Sequence, residues 1–179
     1  MKSYKIIYQK DIDNDSPKQF LKWLETNSFS YILGKYPGSM AIDYNPEKFQ
    51  NFLSQKENIM KWLDYKVEQT TITDQKFAFL LLNLSQINLK FINCKLANGD
   101  QKDAIYDEDG KISVEMLKEI IADRHNFICQ VTLSTVKNFD RIILTKNGVL
   151  HFEYEEKNID KIIDIMNVGK EALNEEKNR

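Results

Sequence analysis

The sequence predicts an α+β protein whose antiparallel sheets are built from β-hairpins and covered by four helices. Two observations carry that expectation. Apolar residues alternate on either side of two short glycine-containing loops, residues 34–38 and 146–148, which is the pattern of a β-hairpin. Elsewhere, four stretches space their apolar residues three and four apart behind a Ser or Asn, the pattern of a capped amphipathic helix.

Residues 3–9 alternate Ile and Tyr with polar residues and read as a strand. An acidic loop, Asp11-Ile12-Asp13-Asn14-Asp15, follows. Ser16, Pro17 and Gln19 then form an N-cap, a first-turn proline and a capping box, so a helix is expected over 17–26 with Phe20, Leu21, Trp23 and Leu24 inward. Phe29, Tyr31 and Leu33 face Met40, Ile42 and Tyr44 across a five-residue loop, the first hairpin. Asn45-Pro46-Glu47 starts a second helix whose Phe49, Phe52, Leu53, Ile59, Met60, Leu63 and Val67 are assigned to its buried face; Ser54 marks a candidate break.

Residues 77–84 form an apolar run that periodicity alone does not assign, and a buried strand is expected there; residues 87–96 alternate as a strand, and Asn98-Gly99-Asp100 is a turn. Residues 104–106 are expected as a short strand before the turn Asp107-Glu108-Asp109-Gly110. Ser113 caps a helix to about residue 124 with Leu117, Ile120 and Ile121 inward. A strand over 127–134 precedes the second hairpin, 141–145 against 149–154, whose Asn147-Gly148 is the strongest short hairpin signal in the chain. Asn158 caps a last helix to about residue 173, and a polar tail follows.

The order strand, acidic loop, helix, hairpin, helix occurs twice, and the matching residues (Tyr8, Ser16, Phe20-Leu21-Lys22; Tyr106, Ser113, Met116-Leu117-Lys118) suggest two related β-α-β-β-α halves. The expected organisation is an N-terminal half over 1–100 and a C-terminal half over 101–179, the two forming one compact domain or two small ones.

Composition narrows the chemistry. The chain carries 25 Lys+Arg and 27 Asp+Glu, 25 − 27 = −2, without a basic stripe, so binding driven by phosphate neutralisation is not expected. Only three of the cations are arginine, at 124, 141 and 179, which leaves few bidentate forks for phosphate or guanine. Six glycines include neither a dinucleotide fingerprint nor a P-loop. The longest apolar run is far shorter than the roughly 20 residues a spanning helix needs, and residues 1–5 lead straight into a strand, so no membrane partner and an intracellular location, cytoplasmic or nuclear, are expected. Cys94 and Cys129 are too few for a disulfide framework and are expected reduced.

Candidate metal ligands are Asp11, Asp13 and Asp15 in the first acidic loop and Asp107 and Asp109 in the second. The second string resembles part of an EF-hand loop, but with Gly110 at loop position six the closing bidentate position falls on Met116, and an ordinary acidic turn ahead of a helix N-terminus is favoured. His125 and His151 lie on different elements; a Cys129–His151 nucleophile pair would need their strands to be neighbours, and no orienting group can be assigned. Helix 113–124, strand 127–134 and hairpin 141–154 follow the order of a winged helix, yet residues 111–161 hold eight basic and eight acidic side chains. No catalytic residue and no cofactor beyond a divalent cation emerges. The expected function is a non-enzymatic protein-interaction module, a subunit or adaptor with a protein partner. The alternatives are a nucleic-acid-associated winged-helix-like domain and a small divalent-metal-dependent hydrolase or nuclease using the acidic loops.

Overall fold

The computed structural model describes residues 1–10, 15–103, 105–123, 125–153 and 158–171. Among them are six α-helices and nine strands, all ladders antiparallel, as an α+β fold requires. Contacts divide the chain into two compact units: Lys2–Thr70 together with the chain from Ile159 onward, and Thr71–Asn158.

The first unit opens with β1 (Lys2–Gln9), α1 (Ser16–Thr26), β2 (Tyr31–Leu33), β3 (Ser39–Asp43), α2 (Pro46–Ser54), α3 (Lys56–Asp64) and β4 (Val67–Gln69). β1 pairs with β3, Tyr4 opposite Asp43 and Ile7 opposite Met40, and also with β4, Ile7 opposite Gln69. β2 closes the predicted hairpin on β3, with Leu33 opposite Met40. β1 is buried at four consecutive positions, Tyr4 to Ile7, because both of its faces are covered. Ile7, Met40 and Ile42 join Phe20, Trp23, Phe49, Phe52 and Trp62 of the helices in one core. Ile6 and Ala41, opposed in the register, have the other parity, and both are fully buried.

Aromatic contacts hold the first core together. Trp23 lies 5.2 Å from Phe52, and Trp62 meets Phe20 and Phe49 edge-on at 6.0 and 5.8 Å, separations at which ring quadrupoles attract. The cap of α1 differs from the expected capping box. Asp15 is the N-cap residue and Ser16 the first helical one, its Oγ accepting from the buried Gln9 Nε2 at 2.8 Å. Pro17 still occupies the first turn, where its missing N–H costs no helical bond.

The second unit contains α4 (Asp74–Leu82), a 3-10 turn (Leu84–Ile87), β5 (Leu89–Leu96), β6 (Gln101–Lys102), α5 (Val114–Ala122), β7 (Ile128–Thr135), β8 (Arg141–Thr145) and β9 (Val149–Phe152). Its strands lie in the order β9-β8-β7-β5-β6. Between Phe91 and Asn93 the β5–β7 register slips by one residue, a bulge at Ile92. The 146–148 loop is the predicted hairpin turn, with Gly148 at φ +69° and its N–H bonded to the Thr145 carbonyl.

Three expectations are corrected here. The apolar run 77–84 is not a strand: α4 takes it, with Thr73 Oγ1 accepting from Lys76 N and Asp74 in the first turn. Phe77, Ala78, Leu80 and Leu81 are buried and the more open Phe79 and Leu82 are apolar as well, so the run lacks the polar face that would have revealed its period. Residues 105–106 form no strand; Tyr106 makes one isolated bridge to Ile112, and residue 104 lies outside the described residues. The expected division at residue 100 would separate β5 from β6, which pair at Cys94–Lys102 within one unit.

The last helix, α6 (Ile159–Val168), packs on β1 and β3 of the first unit. A carboxylate ties it there. Asp164, only 4% exposed, accepts hydrogen bonds from the backbone N–H groups of Lys35 (2.9 Å) and Tyr36 (3.1 Å) in the β2–β3 loop. Asn167, one turn on, donates to the Ile7 carbonyl and to Ser39 Oγ. With α6 packed there, and α4 and the divided α2–α3 pair added, six helices stand where four were expected.

Candidate functional site

The acidic residues are the first candidates. Asp11 and Asp13 lie outside the described residues. Asp15 caps α1 through its backbone, its carbonyl accepting from Gln19 N, and makes no side-chain cap bond. Asp107 Oδ1 accepts from the N–H groups of Asp109 (3.0 Å) and Lys111 (2.8 Å), while Gly110 supplies the positive φ. That is a self-capped turn: one Asp107 oxygen closes the loop and is directed at backbone. Asp15 belongs to the first unit, Asp107 and Asp109 to the second. Among the described residues no three His, Cys, Asp or Glu side chains are grouped to hold a metal ion.

The register separates the Cys129–His151 pair. His151 on β9 opposes Ile143 on β8, which opposes Thr132 on β7. Cys129 is three residues from Thr132 along β7, at a second register shift of the β5–β7 ladder, and β8 intervenes. With about 4.8 Å per strand and 3.3 Å per residue, the two are roughly 14 Å apart, far beyond proton-transfer reach. Burial also pushes the Cys94 thiol up to about 11, so it holds its proton at neutral pH. Burial lowers the pKa of His151.

The winged-helix order is present as α5, β7 and the β8–β9 hairpin. However, α5 turns Glu115 and Glu119 to solvent beside Lys118. Two carboxylates to one ammonium on the helix that would read the groove repel a phosphate backbone.

The feature that stands out in the first unit is the outer face of α3. Its one fully packed side chain is Trp62, 5% exposed and wedged against Phe20 and Phe49, which fixes the rotation of the helix. Successive residues advance by about 100° around a helix, so Ile59, Leu63 and Met60 fall at 0°, 40° and 100° on one stripe, and Trp62 lies behind it. Ile59 is 42% exposed, Met60 50% and Leu63 61%. Lys56 precedes the stripe by one turn, and Glu57, Asp64 and Lys61 flank it on the side away from Trp62, two charges of each sign and all exposed.

The sequence pattern assigns those three residues to a buried face, and the reason for the difference is local. Gln55 sits between α2 and α3 at φ −77°, ψ 123°, an extended conformation that interrupts the helix and resets its phase. Asn58 Nδ2 bonds the Phe52 carbonyl and fixes the step. The residues therefore do not continue the inward face of Phe49 and Phe52. The signal in the sequence was the candidate break at Ser54, which carried no information about the direction of the new axis.

No helix among the described residues is long and apolar enough to cross a membrane. No family model, curated protein or solved structure matches this chain.

Proposed function

We propose that the protein is a non-enzymatic interaction module that docks a protein partner through the α3 stripe. The observation that supports this reading is the contiguous exposure of Ile59, Met60 and Leu63 on a helix whose rotation Trp62 locks. Isolated exposed apolar residues are ordinary, but a contiguous set bordered by mixed charges has the composition of an interface centre and its rim. A stable interface buries on the order of 1,200–2,000 Å² in total, so three side chains form its centre and the flanking surface completes it. The balanced rim also favours a protein over a polyanion, which would select for lysines alone.

The test is the triple variant Ile59→Ser, Met60→Ser, Leu63→Ser. The stripe carries no core packing, so the variant is expected to keep its circular dichroism and its Trp62 fluorescence while losing the partners that the wild-type protein captures from its host's extract. Unchanged capture, or collapse of the first unit, would refute the reading.

A further inference from the structure

We propose that the polar face of the second unit's sheet binds single-stranded nucleic acid, an inference independent of the α3 stripe. Successive side chains of a strand point to opposite faces. Phe91, Leu133 and Ile142, opposed in the register, are buried on one face of β5, β7 and β8. Lys90, Ser134 and Arg141, the neighbouring rank, therefore stand on the other. Four residues along β7, Gln130 lies on that same face between Lys95 and Thr145. With about 4.8 Å per strand and 3.3 Å per residue, the Cα atoms of Lys90 and Arg141 are about 10 Å apart, and Lys95 follows about 13 Å along β5. Lys90, Lys95 and Arg141 are exposed, and none makes an ion pair among the described residues. Between the two ranks lie Asn93, Thr132 and Ile143, opposed in one row. Glu153, next to the Phe152 that opposes Ile142, borders Arg141 at one corner, and Asp140 bonds back to Thr135, whose parity is that of the buried face. These strands thus assemble three cations beside one carboxylate, a cluster that no run of the sequence carries.

The β7–β8 turn adds an aromatic ring. Phe139 is 72% exposed and sits at φ +59°, a region that a bulky side chain enters only at a cost. Burial does not repay that cost, and glycine or asparagine would serve the turn better. Strain that packing does not explain marks a position with a use. The ring lies 6.0 Å from Lys90 Nζ, so a flat apolar surface and a cation stand together at the head of the first rank. A single strand needs that pairing, because a base stacks on the ring while the adjoining phosphate meets the ammonium. Arg141 and Lys95 then take further phosphates of the same strand. A duplex keeps its bases stacked inside and offers none to Phe139, and an acidic peptide would match the cations but leave the ring unused.

Fluorescence anisotropy of labelled oligothymidylate, about ten nucleotides long, titrated with the full chain over a series of salt concentrations, tests this directly. With three phosphates engaged, log K should fall against log salt with a slope of about −2, roughly 0.7 for each contact. Lys90→Gln and Arg141→Gln, both at exposed positions, should each flatten the slope by about 0.7. Phe139→Ala should weaken binding about fivefold or more with the slope unchanged, and Phe139→Trp should keep the affinity, since one stacked base contributes at least that much. The same sequence as a duplex should bind more weakly. No binding at low salt, a slope near zero, slopes unchanged in both cation variants, or full affinity in Phe139→Ala would each overturn the inference. Polyglutamate binding as tightly as the oligonucleotide would overturn it too, and would assign the face to an acidic segment of a protein.

Discussion

Replacing Gly34 by alanine sets a methyl group against the carboxylate that anchors α6. The backbone of Gly34 is not in the left-handed region, so alanine is not strained by its conformation there; the conflict is purely one of space. A Cβ at this position runs into Asp164 Oδ1 and comes within 3.0 Å of both Asp164 Cγ and Ser39 Cβ. The carboxylate cannot retreat without releasing the N–H groups of Lys35 and Tyr36. Each bond to a charged acceptor is worth about 1.5–3 kcal/mol, and these donors are partly buried, so the expected loss is about 2–4 kcal/mol of stability in the first unit. Both tryptophans of the chain, Trp23 and Trp62, lie in that unit's core, so urea unfolding followed by tryptophan fluorescence reports on it specifically. A double-mutant cycle isolates the cause. In an Asp164→Ala background the methyl group has no carboxylate to displace, and Gly34→Ala should then cost less than about 1 kcal/mol. Additive losses in the double variant would show that the Gly34–Asp164 contact is not the reason.

Burial raises the pKa of Asp164 above its ordinary 3.8, against the lowering effect of its backbone hydrogen bonds, so the folded state holds this proton more tightly than the unfolded one. The stabilisation from this group is full below pH 3.8 and is lost as pH rises through the raised value, so the stability difference between wild type and Asp164→Ala should shrink over that window; a difference that grows with pH contradicts it. Phe139 sits at φ +59° with 72% exposure, and relieving a left-handed conformation that costs roughly 1–2 kcal/mol outweighs the added chain entropy of glycine. Phe139→Gly should therefore raise the calorimetric midpoint, and a lower midpoint would mean that the ring packs on something. Cys94, fully buried with its thiol pKa at about 11, should escape iodoacetamide in the native protein at pH 8 and react in urea, as read by mass spectrometry; native labelling at Cys94 would refute its burial.

What was legible in the sequence follows from where the information is local. Both hairpins were read correctly because their loops carry the residues that the turn geometry demands, as with Gly148 at positive φ. Asn45 and Ser113 cap α2 and α5 through side-chain oxygens that accept from Lys48 N and Met116 N, three residues on, so a short string suffices to find them. The reading of α4 failed because periodicity needs a polar face: Phe77, Ala78, Leu80 and Leu81 are buried, and the more open positions of the run, Phe79 and Leu82, are apolar too. Thr73-Asp74 was the usable signal, a cap followed by an acidic first turn. The Asp164 anchor was out of reach, since its partners lie 129 and 128 residues away along the chain.

The candidate sites fail to appear in the sequence for a related reason, and it bears on what kind of function they serve. A metal or nucleophile site announces itself by residue type; an apolar docking face uses the same leucines and isoleucines as the core. Only geometry separates the two. On α3 that geometry is one extended residue, Gln55, which turns the new helix so that Trp62 faces inward while Ile59, Met60 and Leu63 face water. The net charge of −2 fits this picture: with charges dispersed and balanced, the α3 stripe gains little affinity from long-range steering, and recognition there must come from apolar contact. Binding at the α3 stripe should accordingly show a negative heat-capacity change and only a weak dependence on salt. A steep salt dependence at the α3 stripe would instead point to polyelectrolyte binding and reverse the preference for a protein partner.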